Sequence, residues 1–290
     1  MPMPPATTLT IASCNLHNLH ENSHPDKIAH LIKAITEDLQ LPDIIALQEI
    51  GSQTLNIEGE AIAIVADIII DAIKTSTQTT YRYIDIPPRQ NSSGGAQDLN
   101  IRPAFLVKDH ITICNYHNHI GDVSAFEGNL ECTYRPSRKP LLLTAMTDLG
   151  PLTLINCHLK SQMMPTKQEK RIAKRQRNEQ ASAIRSFYEK NNKHPIIVLG
   201  DFNDTPNSDT LKILTGERLI SMWQSYNGKL YTTHYKQCPI VLDYILIPKT
   251  ISYQNPQVHH LNTNLKYPYR FSDHDPITIE ITALQTGNSE

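Results

Sequence analysis

Acidic, amide and imidazole side chains stand where several apolar segments of this sequence begin or end. The residues in such positions are Glu49, His158, Asp201, Asn203, Asp243, Asp273 and His274. A carboxylate there must be solvated, paired or bound to a metal ion, because burying an isolated charge is costly. Asp201 and Asn203 lie two apart in Gly-Asp-Phe-Asn-Asp, and residues at that spacing on an extended chain share a face. Together these side chains could bind a cation and transfer protons.

Each of these residues, taken alone, also has an ordinary structural explanation. A single acid at a strand end commonly forms a turn or a cap, and a histidine near a core is commonly a hydrogen-bonded polar residue. We interpret Asp275, before Pro276, as a loop terminator. The combination of acids, two histidines and a Gly-Asp-x-Asn turn in one chain nevertheless favours a catalytic site.

The elements that must position these residues include many short segments rich in Ile, Leu and Val, which are typical of strands. Strands are predicted over 8–16, 43–50, 102–107, 141–147, 152–158, 195–201, 241–247 and 277–282. Asp148-Leu149-Gly150 predicts a hairpin between two of them. Some strands follow one another directly and others alternate with helices, which indicates stacked sheets covered by helices.

Helices are predicted over 25–40, from after Pro165 to about Asn191, and near 60–74. Ser23 and Asp26 are expected to cap the first helix, and Thr166 and Glu169 have capping-box spacing at the second. The sequence contains no repeat, no low-complexity linker and no shift in composition. We therefore expect one domain, spanning residues 1–290.

The composition narrows the classes of partner and compartment. The formal net charge is −2, so any attraction to nucleic acid must come from a local basic patch. No apolar run is long enough to span or insert into a membrane, and the N-terminus has no signal-peptide pattern. We expect a cytoplasmic monomer, although secretion of a trimmed precursor remains open. The odd number of cysteines and the lack of CxxC favour buried thiols over disulfides or a zinc site.

The motifs resemble those of the endonuclease/exonuclease/phosphatase superfamily, which includes deoxyribonucleases, apurinic endonucleases, sphingomyelinases and inositol-polyphosphate phosphatases. The matching stretches are Ile11-Ala-Ser-Cys-Asn15-Leu, Pro42-Asp-Ile-Ile-Ala-Leu-Gln-Glu49, Asn156-Cys-His158-Leu-Lys160-Ser161, Leu199-Gly-Asp201-Phe-Asn203, Leu242-Asp243-Tyr and Ser272-Asp273-His274-Asp-Pro276. His-Leu-Lys-Ser and Asn100-Ile-Arg102 resemble a bacterial, nuclease-like branch. The resemblance implies an α/β fold, a four-layer α/β/β/α sandwich of two mixed sheets flanked by helices.

The resemblance also implies roles for the site residues. Glu49 would bind Mg²⁺ (or Mn²⁺), with Asn15 assisting and Asp273 completing the metal environment. Asp201 would orient or activate the attacking water, and Asn203 would hold the phosphate or that aspartate.

By the same resemblance, His158 would stabilise the charge that develops on the phosphate. His274, oriented by Asp243, would serve as general base or as phosphate ligand. The choice of base between Asp201 and His274, and the number of metal ions, stay open.

Two departures from the family pattern bear on the site. His17 stands where close relatives often carry a glutamate, and no carboxylate is in register to orient His158, since Asp98 is displaced. Arg102 lies nearer that position. It is interpreted either as a phosphate contact or as half of a structural ion pair.

Basic residues follow His158, namely Lys160, Lys167, Lys170, Arg171, Lys174, Arg175 and Arg177. Lys160 and Lys167 are the predicted substrate contacts, whereas a solvated helix face is the alternative for the distal residues. A second basic wall for the substrate could be formed by Arg135, Arg138 and Lys139, in the long loop before a strand. The candidates for base stacking are Trp223, Tyr226 and Tyr231, although core packing is favoured for Trp223.

The leading functional hypothesis is a nuclease with nucleic acid as its substrate, which hydrolyses DNA and has RNA as a further candidate. A phosphatase or phospholipase C-type enzyme acting on inositol phosphates or sphingomyelin is the second hypothesis. The third is a catalytically silent member that binds nucleic acid or protein.

Overall fold

The computed structural model describes residues 7–121, 138–191 and 193–284, and its framework is two six-stranded sheets. In spatial order the first sheet contains β13 (Ile251–Val258), β14 (Ile277–Leu284), β1 (Leu9–Leu19), β2 (Ile44–Ile50), β4 (Arg102–Lys108) and β3 (Tyr81–Ile84). The second contains β5 (Thr112–His117), β6 (Leu141–Thr147), β7 (Gly150–His158), β8 (Ile196–Asp201), β12 (Asp243–Pro248) and β9 (Leu219–Ser221). The strands β10 (Thr233–Tyr235) and β11 (Cys238–Ile240) form a separate ribbon.

Helices flank this pair of sheets. They are α1 (Pro25–Lys33), which continues into a π-helical turn at Ala34–Asp38, α2 (Ile64–Thr77), α3 (Lys167–Lys190) and α4 (Asp209–Thr215). β1–β2 and β7–β8 are parallel and the other ladders are antiparallel, so both sheets are mixed. The predicted four-layer α/β/β/α sandwich is confirmed.

The large core contains apolar residues of both sheets, and a buried polar link centred on Asn156 joins them. Asn156 on β7 donates from Nδ2 to the carbonyl oxygens of Leu47 (2.9 Å) and Ala104 (2.8 Å). Its Oδ1 accepts from Gln48 Nε2 at 2.8 Å. The β2–β4 register shifts beyond Leu47, and such an irregularity leaves backbone groups without ladder partners. Asn156 therefore satisfies carbonyls beside the bend that carries Glu49.

The eight predicted strands are all confirmed within a few residues at their ends. Six further strands were not predicted from the sequence, namely β3, β5, β9, β10, β11 and β13. These strands are short, lie at sheet edges or expose much of their length, so they lack the long apolar runs of the central strands.

The predicted helices are also present, with two corrections. The predicted cap of α1 by Ser23 and Asp26 is wrong. The side chain of His24 caps this helix by accepting a hydrogen bond from Asp26 N, and Ser23 Oγ accepts one from His20 N instead. The third predicted helix begins at Ile64 rather than near residue 60. The capping box of Thr166 and Glu169 is confirmed.

The cysteine prediction holds in part. Cys14 and Cys157 are buried free thiols, whereas Cys114 and Cys238 are free but exposed. Cys132 lies outside the described residues. Within the part of the chain that the structure describes, no helix is long and apolar enough to cross a membrane. The single-domain organisation stays a prediction.

Candidate active site

Strand register brings three of the predicted residues side by side at one end of the second sheet. β7 and β8 are parallel and end in step, so His158 pairs with Asp201. β12 runs antiparallel to β8 and begins where β8 ends, so Asp243 also pairs with Asp201. A Cβ on Gly200 would lie 2.0 Å from the carbonyl oxygen of Cys157, and Gly200 has a φ of 126°. Glycine before Asp201 is thus required by the close approach of β7.

The first sheet supplies Asn15 and Glu49 to the same place. Glu49 has a left-handed φ of 58° within the irregular end of β2, a conformation that non-glycine residues seldom adopt. Asn15 Nδ2 donates to Asp201 Oδ2 at 2.9 Å and to Glu49 Oε1 at 3.3 Å. The amide of Asn15 therefore links carboxylates from the two sheets.

A compact set of potential ligand atoms results. Glu49 Oε1 and Asp201 Oδ2 lie 3.5 and 3.6 Å from His158 Nε2, and each of the three residues offers a ligand atom within 4.8 Å of the other two. Glu49 Oε2 accepts a hydrogen bond from Asn18 N at 3.0 Å. Two converging carboxylates offer the hard oxygen ligands that Mg²⁺ and Mn²⁺ prefer, and a cation between them would offset their repulsion. The residues present thus fit a hard divalent cation.

A second set consists of Asp201, Asp243 and His274. His274 Nδ1 donates to Asp243 Oδ2 at 2.8 Å, and both residues are buried. Burial alone would lower the pKa of His274, but the carboxylates of Asp243 and Asp201 outweigh it and hold that pKa well above its usual value. The backbone of Asp243 is fixed by Trp223, whose Nε1 donates to the Asp243 carbonyl at 3.0 Å.

Asp201 belongs to both sets. Burial raises its pKa to about 7, opposed by His274 and assisted by Asp243. Asn203 N donates to Asp201 Oδ1 at 2.8 Å, and Asn203 Nδ2 lies 3.2 Å from Asp201 Oδ2. The Gly-Asp-x-Asn turn therefore closes on its own aspartate and fixes both carboxylate oxygens.

His158 faces a cation. Arg138 Nη1 lies 2.6 Å from His158 Nε2 and 3.2 Å from Nδ1. Burial and then Arg138 lower the pKa of His158 well below its usual value, so the ring is neutral at pH 7. The sequence placed Arg138 only in a loop wall, with Lys139 and with Arg135, which lies outside the described residues. No local pattern indicates its contact with a residue twenty positions away.

Lys27 is a second residue that the sequence missed. Burial lowers its pKa to about 8, although Glu49 and Asp273 oppose the change. Its Nζ donates to the carbonyl oxygen of His17, whose Nδ1 lies 3.9 Å from Asp273 Oδ1. Asp273 thus lies beside His17 at the rim, and neither ligand set includes it.

Arg102 forms a structural ion pair, which was the alternative to a phosphate contact. Its Nε donates to Asp85 Oδ2 at 2.9 Å, and its terminal nitrogens donate to the carbonyls of Asn100 and Ala61. All three nitrogens have protein partners, and the side chain is 3% exposed. The carboxylate of Asp98 accepts hydrogen bonds from the side-chain amides of Gln90 and Asn91 rather than from His158.

Among the predicted substrate contacts, Lys160 directly follows the His158 strand and is half-buried, and its pKa is lowered by burial and then by Arg138. Lys167 is exposed at the first turn of α3. Farther along α3, Lys174 pairs with Asp209 and Arg177 is buried against Asp204. These two distal residues have structural partners.

Two further residues match their structural interpretations. Trp223 is buried in the core. Asp275 is 1% exposed, and its Oδ1 accepts from the backbone N–H groups of Asn262 and Thr263. Asp275 therefore organises the loop that precedes His274.

Comparison with known proteins agrees with this geometry. The family model described as Endonuclease/Exonuclease/phosphatase family matches residues 12–274. No curated protein sequence matches the chain. An endonuclease/exonuclease/phosphatase family protein from Leptotrichia buccalis has a TM-score of 0.66 at 20% identity, covering 94% of this chain and 99% of that one.

Two similar structures carry more specific names. D. rerio TDP2 in complex with a single-strand DNA product has a TM-score of 0.64 at 16% identity, covering 95% of this chain and 99% of that one. The human Nocturnin catalytic domain with bound sulfate has a TM-score of 0.61 at 17% identity, covering 94% of each chain. At these identities the likeness shows the fold.

Proposed function

Because this chain belongs to the endonuclease/exonuclease/phosphatase family, we propose that it is a divalent-metal-dependent phosphodiesterase that hydrolyses nucleic acid, with DNA as its main substrate. The family is one of phosphoesterase hydrolases. The observation that carries the proposal is the convergence of Glu49, His158 and Asp201 from two sheets, with the Asp243–His274 pair beside them. A relative of the same fold was solved with a single-strand DNA product, which supports nucleic acid as the substrate class.

Glu49, assisted by Asn15, is the proposed principal ligand of Mg²⁺ (or Mn²⁺), and Asp273 at the rim is a further candidate. A bound divalent ion supplies charge neutralisation at the phosphate and at the leaving oxygen. Glu49 suits this role because its Oε2 is held by Asn18 N while its Oε1 faces the cluster.

Asp201 is the proposed residue that orients or activates water. Its carboxylate is held by Asn15 and Asn203, so an oxygen is presented in one fixed direction. A carboxylate fixed in this way acts on a water without reorganising during the reaction. Asn203 is proposed to position Asp201 and to contact the phosphate.

We propose that two positively charged side chains lie on different sides of the bound phosphate. Arg138 supplies it beside the neutral ring of His158, and His274 supplies it as an imidazolium held by Asp243. Cationic donors near a phosphoryl group stabilise the charge that develops on its oxygens. His158 is proposed to donate a hydrogen bond to the phosphate and to position Arg138.

The proposed substrate is tested by a panel assayed with Mg²⁺. Plasmid DNA, RNA, an abasic duplex, inositol phosphates and sphingomyelin are incubated with the wild-type chain and with Asp201→Ala as the inactive control. We expect wild-type cleavage of DNA and none by the variant. Hydrolysis confined to inositol phosphates or sphingomyelin would refute the nuclease assignment, and binding of nucleic acid without hydrolysis would indicate a silent member.

A further inference from the structure

The first strand leaves its ladder beside the proposed metal site. The pairing of β1 with β2 is irregular between Asn15 and Leu19. Within this stretch His17 and Asn18 both have a left-handed backbone, with φ values of 47° and 58°. Non-glycine residues seldom adopt this conformation, and it persists only where the surrounding structure holds it. Contacts from outside the turn must therefore keep it in place.

Lys27 and Glu49 hold the peptide group between His17 and Asn18 from its two ends. Lys27 Nζ donates to the carbonyl oxygen of His17. The N–H of Asn18 donates to Glu49 Oε2 at 3.0 Å. This carbonyl and this N–H belong to one planar trans peptide group, in which they point in opposite directions. A rotation of the peptide plane would break both hydrogen bonds, so Lys27 and Glu49 are coupled through a single rigid group.

The same turn fixes the amide of Asn15. The N–H of His17 donates to Asn15 Oδ1 at 2.9 Å. This bond leaves Asn15 Nδ2 to donate to Glu49 Oε1 and to Asp201 Oδ2. Both carboxylate oxygens of Glu49 thus accept hydrogen bonds from this turn. The orientation of the Glu49 carboxylate therefore depends on the conformation of the turn.

Lys27 is itself placed by helix α1. Its neighbours Ile28 and Leu31 are buried in one apolar cluster with residues of β1 and β2. The Lys27 ammonium is near enough to Glu49 and Asp273 for both carboxylates to raise its pKa against the effect of burial. A cation on the carbonyl also strengthens the N–H of the same peptide as a donor, because linked hydrogen bonds polarise one another. Lys27 thus supports the bond to Glu49 through geometry and through charge.

We propose that Lys27 is a positioning residue for the divalent metal ion, on which it acts through the His17–Asn18 peptide and Glu49. With Glu49 Oε2 held by the peptide, Oε1 faces the ligand cluster as the metal ligand. This inference rests on the proposed function and deepens it, because it gives α1 a part in building the metal site. Simple charge repulsion between the ammonium and a divalent cation would have the opposite effect on metal binding. Removal of Lys27 therefore weakens metal binding if Lys27 positions Glu49 and strengthens it if repulsion dominates.

The test measures Mn²⁺ binding by metal-depleted protein without substrate, from the electron paramagnetic resonance signal of the free ion. Lys27→Met removes the ammonium and keeps a long side chain, and Lys27→Arg keeps a cationic donor. Lys33→Met is the matched control, because it removes the same charge from the exposed end of α1, where Lys33 lies 3.8 Å from Glu37. Glu49→Gln, alone and combined with Lys27→Met, shows whether the effect passes through Glu49.

We expect Lys27→Met to raise the Kd for Mn²⁺ about tenfold, the usual effect of removing a group that orients a metal ligand. Lys27→Arg should recover part of the affinity, and Lys33→Met should leave it unchanged. In the Glu49→Gln background, Lys27→Met should have little further effect, because the two residues act on the metal as one unit. Circular dichroism checks the folding of each variant, and Lys27→Gln repeats the test if Lys27→Met does not fold.

Unchanged or tighter Mn²⁺ binding by Lys27→Met would overturn the positioning role. An equal loss of affinity in the wild-type and Glu49→Gln backgrounds would also overturn it, since Lys27 would then act elsewhere. Either result would leave the proposed function standing. Mn²⁺ binding that is the same in wild type and in Glu49→Gln would instead remove the metal site, and the proposed function with it.

Discussion

Two buried histidines flank Asp201 at the same end of the sandwich, and their surroundings differ in sign. His158 on β7 contacts the guanidinium of Arg138, whereas His274 before β14 contacts the carboxylate of Asp243. The pKa of His158 is lowered by burial and the cation, while the carboxylates raise the pKa of His274 against the effect of burial. Burial is common to both, so the partner decides the charge of each ring.

This difference divides the site into two halves. On the His274 side, a histidine carries the positive charge and an aspartate holds it in place. On the His158 side, an arginine carries the charge and the histidine is neutral. Substitutions on each side should therefore have different signatures.

The largest effect is expected on the His274 side. His274→Ala should lower kcat by about 10³–10⁴-fold, because both the fixed cation and the acid–base group are lost. Asp243→Asn should cause a smaller loss, and the double variant should match His274→Ala, since the pair acts as a unit. Steady-state kinetics on an oligonucleotide measure this, with circular dichroism as the folding control. Multiplicative losses in the double variant would contradict the pairing.

On the other side, His158→Ala should lower kcat by about 10²–10³-fold, the usual cost of one hydrogen-bond donor to a transition state. His158→Gln, which keeps an N–H of similar reach, should recover part of the loss. The same oligonucleotide assay compares the two variants. Equal activity of His158→Gln and His158→Ala would argue against a donor role.

Titration of the metal-free protein tests whether the contact with Arg138 lowers the pKa of His158. Arg138→Gln should raise the pKa of His158, because a nearby positive charge disfavours the imidazolium. The pKa should remain below its usual value, since burial is the larger cause and persists. NMR of the histidine ring nitrogens follows the change, and His259, whose pKa is lowered by burial and is affected by Asp38, Asp275 and His260 rather than by site residues, serves as the internal reference. A His158 pKa that does not move would remove Arg138 from the comparison.

The smallest effect concerns the lysines beyond the His158 side. Replacing Lys160 and Lys167 by alanine should weaken polynucleotide binding. The slope of log K against log salt concentration should become shallower by about one to two, as expected for the loss of one or two phosphate contacts. Lys174→Ala is the matched control, because Lys174 already pairs with Asp209. Fluorescence anisotropy at several salt concentrations measures both. A slope equal to that of wild type would favour a small or lipid substrate.

Much of the site followed from strand ends. His158, Asp201 and Asp243 terminate or begin apolar strands, and strand register alone brings them together. Their grouping was therefore predictable once those strands were assigned to neighbouring positions. The capping box of α3 was predictable for a similar reason, because it depends on residues three apart.

Other features depend on contacts between distant segments. Arg102 is buried by its pairing with Asp85, and Arg138 by its approach to His158, and neither contact leaves a periodic pattern in the sequence. The left-handed backbone at Glu49 arises from the irregular β2–β4 ladder braced by Asn156. The edge strands β5 and β13 expose many side chains, so they lack the apolar pattern of the central strands.

The most direct test of the account is Mg²⁺-dependent cleavage of an end-labelled DNA oligonucleotide by protein that has been depleted of metal. The depleted wild type should be inactive, and added Mg²⁺ should restore cleavage with a saturable dependence. Glu49→Gln should lose about 10²-fold or more of the restored activity, because the principal carboxylate ligand is gone. Cleavage that persists without metal, or a Glu49→Gln variant that responds to Mg²⁺ as wild type does, would contradict the account.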